Sequence, residues 1–196
     1  MRDNTLAKAS VLDGYIAKPD IRERHQTKVR APADVVYREA MEFDFESLVL
    51  VRAILRGREI LMHTPPAPPA PRMGFAAKTR SMGWGLLEEQ RGRVYVSGAR
   101  CQPWLPEVVF TPIEPKQFAS FAEPGFVKIA WTIETSPLGP GLSLLATETR
   151  AVATDEAARR RFLPYFQRLR PGIVAIRWLL LAAMRRRAER SSSPRA

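Results

Sequence analysis

Residues 142–162, LSLLATETRAVATDEAARRRF, decide the fold, because a strand and a helix meet inside them. The stretch opens with the character of a β-strand and carries Glu148 and Arg150 in its middle. It becomes helical at Asp155, a residue suited to capping, with Glu156 in the first turn where the helix dipole favours an anion. Upstream, SPLGPG (136–141) reads as a turn that joins this strand to FVKIAWTIET (126–135). One face of that preceding strand is Val127, Ile129, Trp131 and Ile133, and an apolar face of this kind must be covered.

Pairing Thr135 with Leu142 across the turn sets Ile129 opposite Glu148 and Val127 opposite Arg150, and opposed partners share a face. In that register both charges point into the protein beside apolar side chains. Arg150 would grip a carboxylate, phosphate or polar carbonyl of a ligand, and Glu148 would hold Arg150 in place or accept a hydroxyl. A shift by one residue reverses the outcome, sending both to solvent and placing Leu145, Thr147, Thr149 and Ala151 inside. A surface ion pair and a purely structural buried pair therefore stay open beside the binding role. Trp84, Trp104, Trp131 and Ile129 are the further candidates to line the same space, with plain core as the alternative for each tryptophan.

The remaining elements follow from periodicity. RERHQTKV (22–29) alternates as a strand, and PADVVYREAM (32–41) begins a short helix at its proline. SLVLVRAILRGREILM (47–62) has the apolar stripe of a second helix. Five prolines between Pro65 and Pro71 make residues 64–72 an extended connector. GWGLLEEQ (83–90) and RVYVSGAR (93–100) form a hairpin around Arg91-Gly92, and PEVVFTPI (106–113) and QFASFA (117–122) read as further strands. The last helical region spans about 156–190, with an expected interruption at Pro171-Gly172. Ile173, Ile176, Leu180, Ala183 and Met184 form its stripe, and Arg177, Arg185 and Arg186 are placed mostly off it.

The implied architecture is α+β: an antiparallel sheet of six to seven strands wrapped around a long C-terminal helix, with two short helices after strand one. Residues 1–21 are expected to be a loosely ordered lead-in, 22–190 a single domain and 191–196 a frayed tail. The segments RHQTKVRAPADVVYREA, GWGLLEEQRGRVYVSGA, FASFAEPGFVKIAWTIET and LATETRAVATDEAARRRFLPYFQRLRPG resemble a bacterial branch of the START-like or SRPBCC superfamily. That resemblance implies the helix-grip fold and the binding, transport or sensing of a hydrophobic ligand or lipid. In some branches it implies polyketide cyclase or aromatase chemistry, and fold does not choose among these.

Composition narrows the chemistry. In 196 residues there are 2 histidines and 1 cysteine, so no internal disulfide forms and neither a metal site nor a cofactor is expected. No Ser-centred or Walker-type glycine motif is present, and no nucleophile is paired with a base, so no catalytic residue is assigned. The net charge of +11, largely arginine near the C-terminus, reads first as solvated helix surface. A basic module that touches anionic membrane or nucleic acid through the Arg-rich C-terminus stays open as an alternative, with nucleic acid the less expected partner and peripheral membrane contact the other. The expectation is a cytoplasmic protein that takes a small hydrophobic or amphipathic molecule between sheet and C-terminal helix.

Overall fold

The computed structural model describes residues 10–44, 48, 56–57 and 73–193. The helix expected over 47–62 and the connector at 64–72 fall outside these residues, apart from positions 48, 56 and 57. Strand β1 is Ile21–Val29 and helix α1 is Ala33–Met41; Phe75–Ser81 forms α2. Gly85–Gln90 and Val94–Cys101 are β2 and β3, Pro115–Phe118 is the short α3, and Val127–Gly139 and Leu142–Ala153 are β4 and β5. Helix α4, Glu156–Ser192, completes the order.

The sheet is antiparallel with strand order β1-β5-β4-β3-β2, so the first strand closes the meander by pairing with the last. Helix α4 lies along one face in the helix-grip layout, with five strands rather than six to seven. The two that fail do so for visible reasons. Residues 106–113 make a single bridge, Thr111 to Arg100, because prolines at 106 and 112 remove ladder donors. QFASFA starts inside α3, whose first position is Pro115. Helix α2 had no counterpart in the sequence reading.

α4 runs unbroken for 37 residues, through Pro164 and Pro171. Both prolines are exposed, so the carbonyls they leave without a helical donor can be hydrated. Asp155 accepts from the Ala158 N–H at 2.7 Å, as its capping position predicts. Three ion pairs then fix the helix to the sheet side: Arg159–Asp20 at 2.9 Å, Arg170–Glu23 at 2.7 Å and Arg187–Glu39 at 2.5 Å. Among the described residues no helix is long and apolar enough to cross a membrane.

The sheet is covered on both faces. Beneath α4 lies a core of Val29, Val36, Tyr95, Trp131, Ile133, Leu145 and Met184. On the outer face, Leu12 and Ile16 of the N-terminal segment pack with Leu87, Val96, Phe118 and Ala130. Residues 10–20 are thus packed rather than loosely ordered. Their 3-10 turn, Val11–Gly14, is closed by a capping box between Ser10 and Asp13. Gly98 admits this outer layer, since a Cβ there would stand 2.6 Å from the Phe118 ring and 2.7 Å from Leu87. Gly98→Ala is therefore expected to lower unfolding free energy by about 1–3 kcal/mol, measured by denaturant melting.

Candidate functional site

The β4–β5 register departs from the expected one. Thr135 pairs with Leu145, Trp131 with Thr149 and Ala130 with Arg150. Strand β4 does not end at Thr135: Ser136-Pro137-Leu138-Gly139 continue it, and a bulge between Pro137 and Gly139 precedes the tight turn at Pro140-Gly141. Gly141 takes a φ of +63°, which such a turn favours glycine to adopt. Pro137 is tolerated because β3 has already begun at Val94, opposite Glu134, leaving that side of β4 free of a ladder. A displacement of three residues is odd, and every β5 side chain changes face.

Glu148 and Arg150 are nonetheless buried, at 0% and 2% exposure, on the outer face. Arg150 Nε donates to Glu148 Oε1 at 2.7 Å, and its Nη1 reaches the Ile16 carbonyl at 2.8 Å and Asp13 at 2.7 Å. Arg22 and Arg24 add bonds of 3.0 and 2.8 Å to Glu148, and Arg24 also contacts Glu134. Burial works to raise the Glu148 pKa, but the hydrogen bonds from Arg24 and Arg150 and the arginine charges outweigh it, leaving the carboxyl below its ordinary range. The pair locks the N-terminal segment onto the sheet. It does not line the cavity, contrary to the inward placement expected from sequence.

That cavity, about 240 Å³, lies on the other face. Trp131, Ile133 and Leu145 form its floor, with Thr147 and Thr149. Helix α4 supplies Ile173, Ile176, Leu180, Leu181 and Met184, while Phe75 and Thr79 of α2 and Trp84 close another side. The aromatic wall is held by edge contacts of Trp131 with Phe75 and Trp84, at centroid distances of 5.2 and 6.0 Å, and by Trp84 stacking on Phe110. Of the sequence candidates, Trp84 and Trp131 line this space. Ile129 shares the face but packs with Trp104 in the neighbouring cluster of Val127, Ala151 and Phe162.

The polar group of the cavity is one the sequence reading set aside. Arg177 lines it, partly buried. Its Nη2 donates to Thr149 Oγ1 at 2.5 Å, its Nη1 contacts Thr147 Oγ1 at 3.5 Å, and its buried Nε–H has no partner among the described residues. Burial pushes the guanidinium down to about 10, against the opposing charge of Glu23. The signal was present: 173, 177, 180 and 184 are spaced by four, three and four, so Arg177 sits inside the apolar stripe. On β1, His25 faces the same side, opposite Thr147, with its ring edge-on to Trp178. Its pKa is held low by burial and by the charges of Arg177 and Arg170, against the pull of Glu23.

Elsewhere the chemistry is sparse. Cys101 is buried, and burial pushes its thiol up to about 12, so it stays protonated. Among the described residues no group of three or more His, Cys, Asp and Glu side chains is arranged to hold a metal ion.

No protein-family model matches the chain, and no curated protein matches it. Some solved structures are similar. A conserved protein from Geobacillus kaustophilus shares 14% identity over 87% of this chain and 94% of that one, with a TM-score of 0.39. Zhui aromatase/cyclase from a Streptomyces species shares 15% identity over 89% of this chain and 96% of that one, with a TM-score of 0.32. The di-domain ARO/CYC BexL shares 18% identity, with a TM-score of 0.35; the match covers 89% of this chain and 48% of that one. At these TM-scores the likeness carries no argument about what this chain does.

Proposed function

We propose that this protein binds a small, largely apolar molecule in the cavity between the sheet and α4. The observation that carries the reading is the void itself. The helix face of the sheet is packed on either side of it, yet a half-open hollow of about 240 Å³ remains, lined mainly by aromatic and aliphatic side chains. Packed interiors hold few spaces larger than a water, and an apolar hollow with a few polar groups is the usual seat of a ligand. The volume equals that of roughly eight liquid waters, which suits a ligand on the order of ten non-hydrogen atoms.

Burial of the ligand against Trp84 and Trp131 would supply the affinity. Carriage or sensing needs nothing more from the site than this. A cyclase-type reaction would add a proton-transfer group at the cavity; His25 feels the charge of Arg177 but does not line that space.

The test is calorimetric titration with the neutral probes octanamide and 2-naphthamide. Wild type should bind at least one of them saturably, with quenching of tryptophan emission from Trp84 and Trp131. Leu180→Trp, which fills the cavity from α4, should weaken that binding about tenfold or more, a loss of at least about 1.4 kcal/mol. A Leu180→Trp variant that binds as well as wild type would overturn the reading, and so would wild type that binds neither these amides nor the matching acids, octanoate and 2-naphthoate.

A further inference from the structure

An apolar ligand leaves Arg177 without an explanation. The other α4 arginines that reach across to β1, α1 and the segment before β1 each meet a carboxylate: Arg159 meets Asp20, Arg170 meets Glu23 and Arg187 meets Glu39. Arg177 stands among them on the same helix, and among the described residues no carboxylate lies within 4.0 Å of it. Among the described residues its hydrogen-bond contacts are two neutral hydroxyls, and its Nε–H has none. Glu23, the acid whose charge it senses, is engaged by Arg170 at 2.7 Å and lies 3.6 Å from His25. A cation set into an oily wall with no counter-ion is costly, and folded proteins keep such groups mainly where a ligand completes them.

We propose that the molecule bound in this cavity is a monocarboxylate, its head held by the Arg177 guanidinium and the Thr149 hydroxyl and its apolar body against Trp84 and Trp131. The inference rests on the cavity being a ligand site and adds the class of the ligand. One guanidinium lacks a carboxylate partner among the described residues, so one negative charge balances the site. The planar fork of arginine matches the two oxygens of a carboxylate. The hydroxyls are placed for the task unequally. Thr147 already donates to the Thr132 carbonyl at 2.7 Å, whereas Thr149 accepts from Arg177 and has no bonded acceptor for its own proton among the described residues. That proton is free for an anion.

Two matched pairs test this by calorimetry: octanoate against octanamide, and 2-naphthoate against 2-naphthamide. Wild type should bind an acid at least about tenfold more tightly than its amide, the scale expected of a charge-assisted bidentate contact. Arg177→Gln should erase that preference, costing the acid at least about tenfold more affinity than it costs the amide, since only the acid loses a charge-assisted contact. Arg177→Lys should retain part of it, and Thr149→Val should reduce it. Octanoate, unlike octanamide, should also raise the His25 pKa followed by NMR, because the new negative charge sits near the imidazole and offsets Arg177, Arg170 and burial. An amide that binds wild type as tightly as its acid, or an acid preference that survives Arg177→Gln, overturns the carboxylate and leaves the cavity reading standing. Failure of all four probes removes the cavity reading and this inference with it.

Discussion

Glu148→Gln is expected to lower the unfolding free energy by about 3–5 kcal/mol and to change binding in the cavity by less than about twofold. The substitution keeps the shape and removes one charge from a cluster in which three carboxylates, Asp13, Glu134 and Glu148, face three guanidiniums, Arg22, Arg24 and Arg150. Arg22 and Arg24 are 47% and 32% exposed and can turn to water. Arg150, at 2%, cannot, and would keep Asp13 as a charged partner, with the Ile16 carbonyl and a neutral amide oxygen at position 148. The cost is that of a buried cation stripped of its central counter-ion. Adding Arg150→Met should therefore restore more than about 1 kcal/mol, because removing both partners is milder than removing one. A double variant less stable than Glu148→Gln alone would contradict this account.

The same cluster sets an acid dependence. The folded-state pKa of Glu148 lies below its ordinary 4.5, so the folded protein binds fewer protons than the unfolded chain as pH falls through this range. Its contribution is complete above about 4.5 and is lost as pH drops toward the depressed folded value. Wild-type stability should consequently fall below pH 4.5 more steeply than that of Glu148→Gln.

What could be read from sequence was whatever depends on local spacing. β1, the β2–β3 hairpin, α1, the Asp155 cap and the 173–184 stripe all follow from period, turn residues and capping chemistry within a few positions. The register of β5 was not legible, because SPLGPG looks like a six-residue turn when four of its residues extend β4 and a bulge absorbs one position. That parity decided which side chains met the cavity. The outer layer was hidden as well: it rests on Leu12 and Ile16, two apolar residues four apart in a polar lead-in, and on a glycine at 98 that reads as a mere weak point in a strand. Burial of Glu148 and Arg150 then arises from a segment more than a hundred positions away, which no strand pattern contains. Arg177 was missed for another reason. Its spacing fits the stripe, but an arginine in a sequence ordinarily marks an exposed position.

Arg177→Met is expected to make the ligand-free protein more stable, by about 1–2 kcal/mol, or several degrees in melting temperature for a chain of this size. A guanidinium pushed from 12.5 to about 10 carries a desolvation cost on the order of 3 kcal/mol. The substitution gives up one short and one long bond to threonine hydroxyls, each worth about 0.5–1.5 kcal/mol at most. Methionine keeps much of the aliphatic stem against Ile173 and Leu180 and adds no polar atom that must be satisfied. The sign does not change with pH near neutrality. Below about 10 the side chain is charged both folded and unfolded, the cost is fully present, and it eases only as pH rises through the folded value. The gain should thus be constant between about pH 6 and 9. Saturating octanoate, which binds only the folded state, should raise the melting temperature of wild type and leave that of Arg177→Met nearly unmoved. A residue whose role was to tie α4 to β5 through Thr147 and Thr149 would show the reverse, a lower melting temperature on substitution at every pH, and the cavity would then have no claim on an anion.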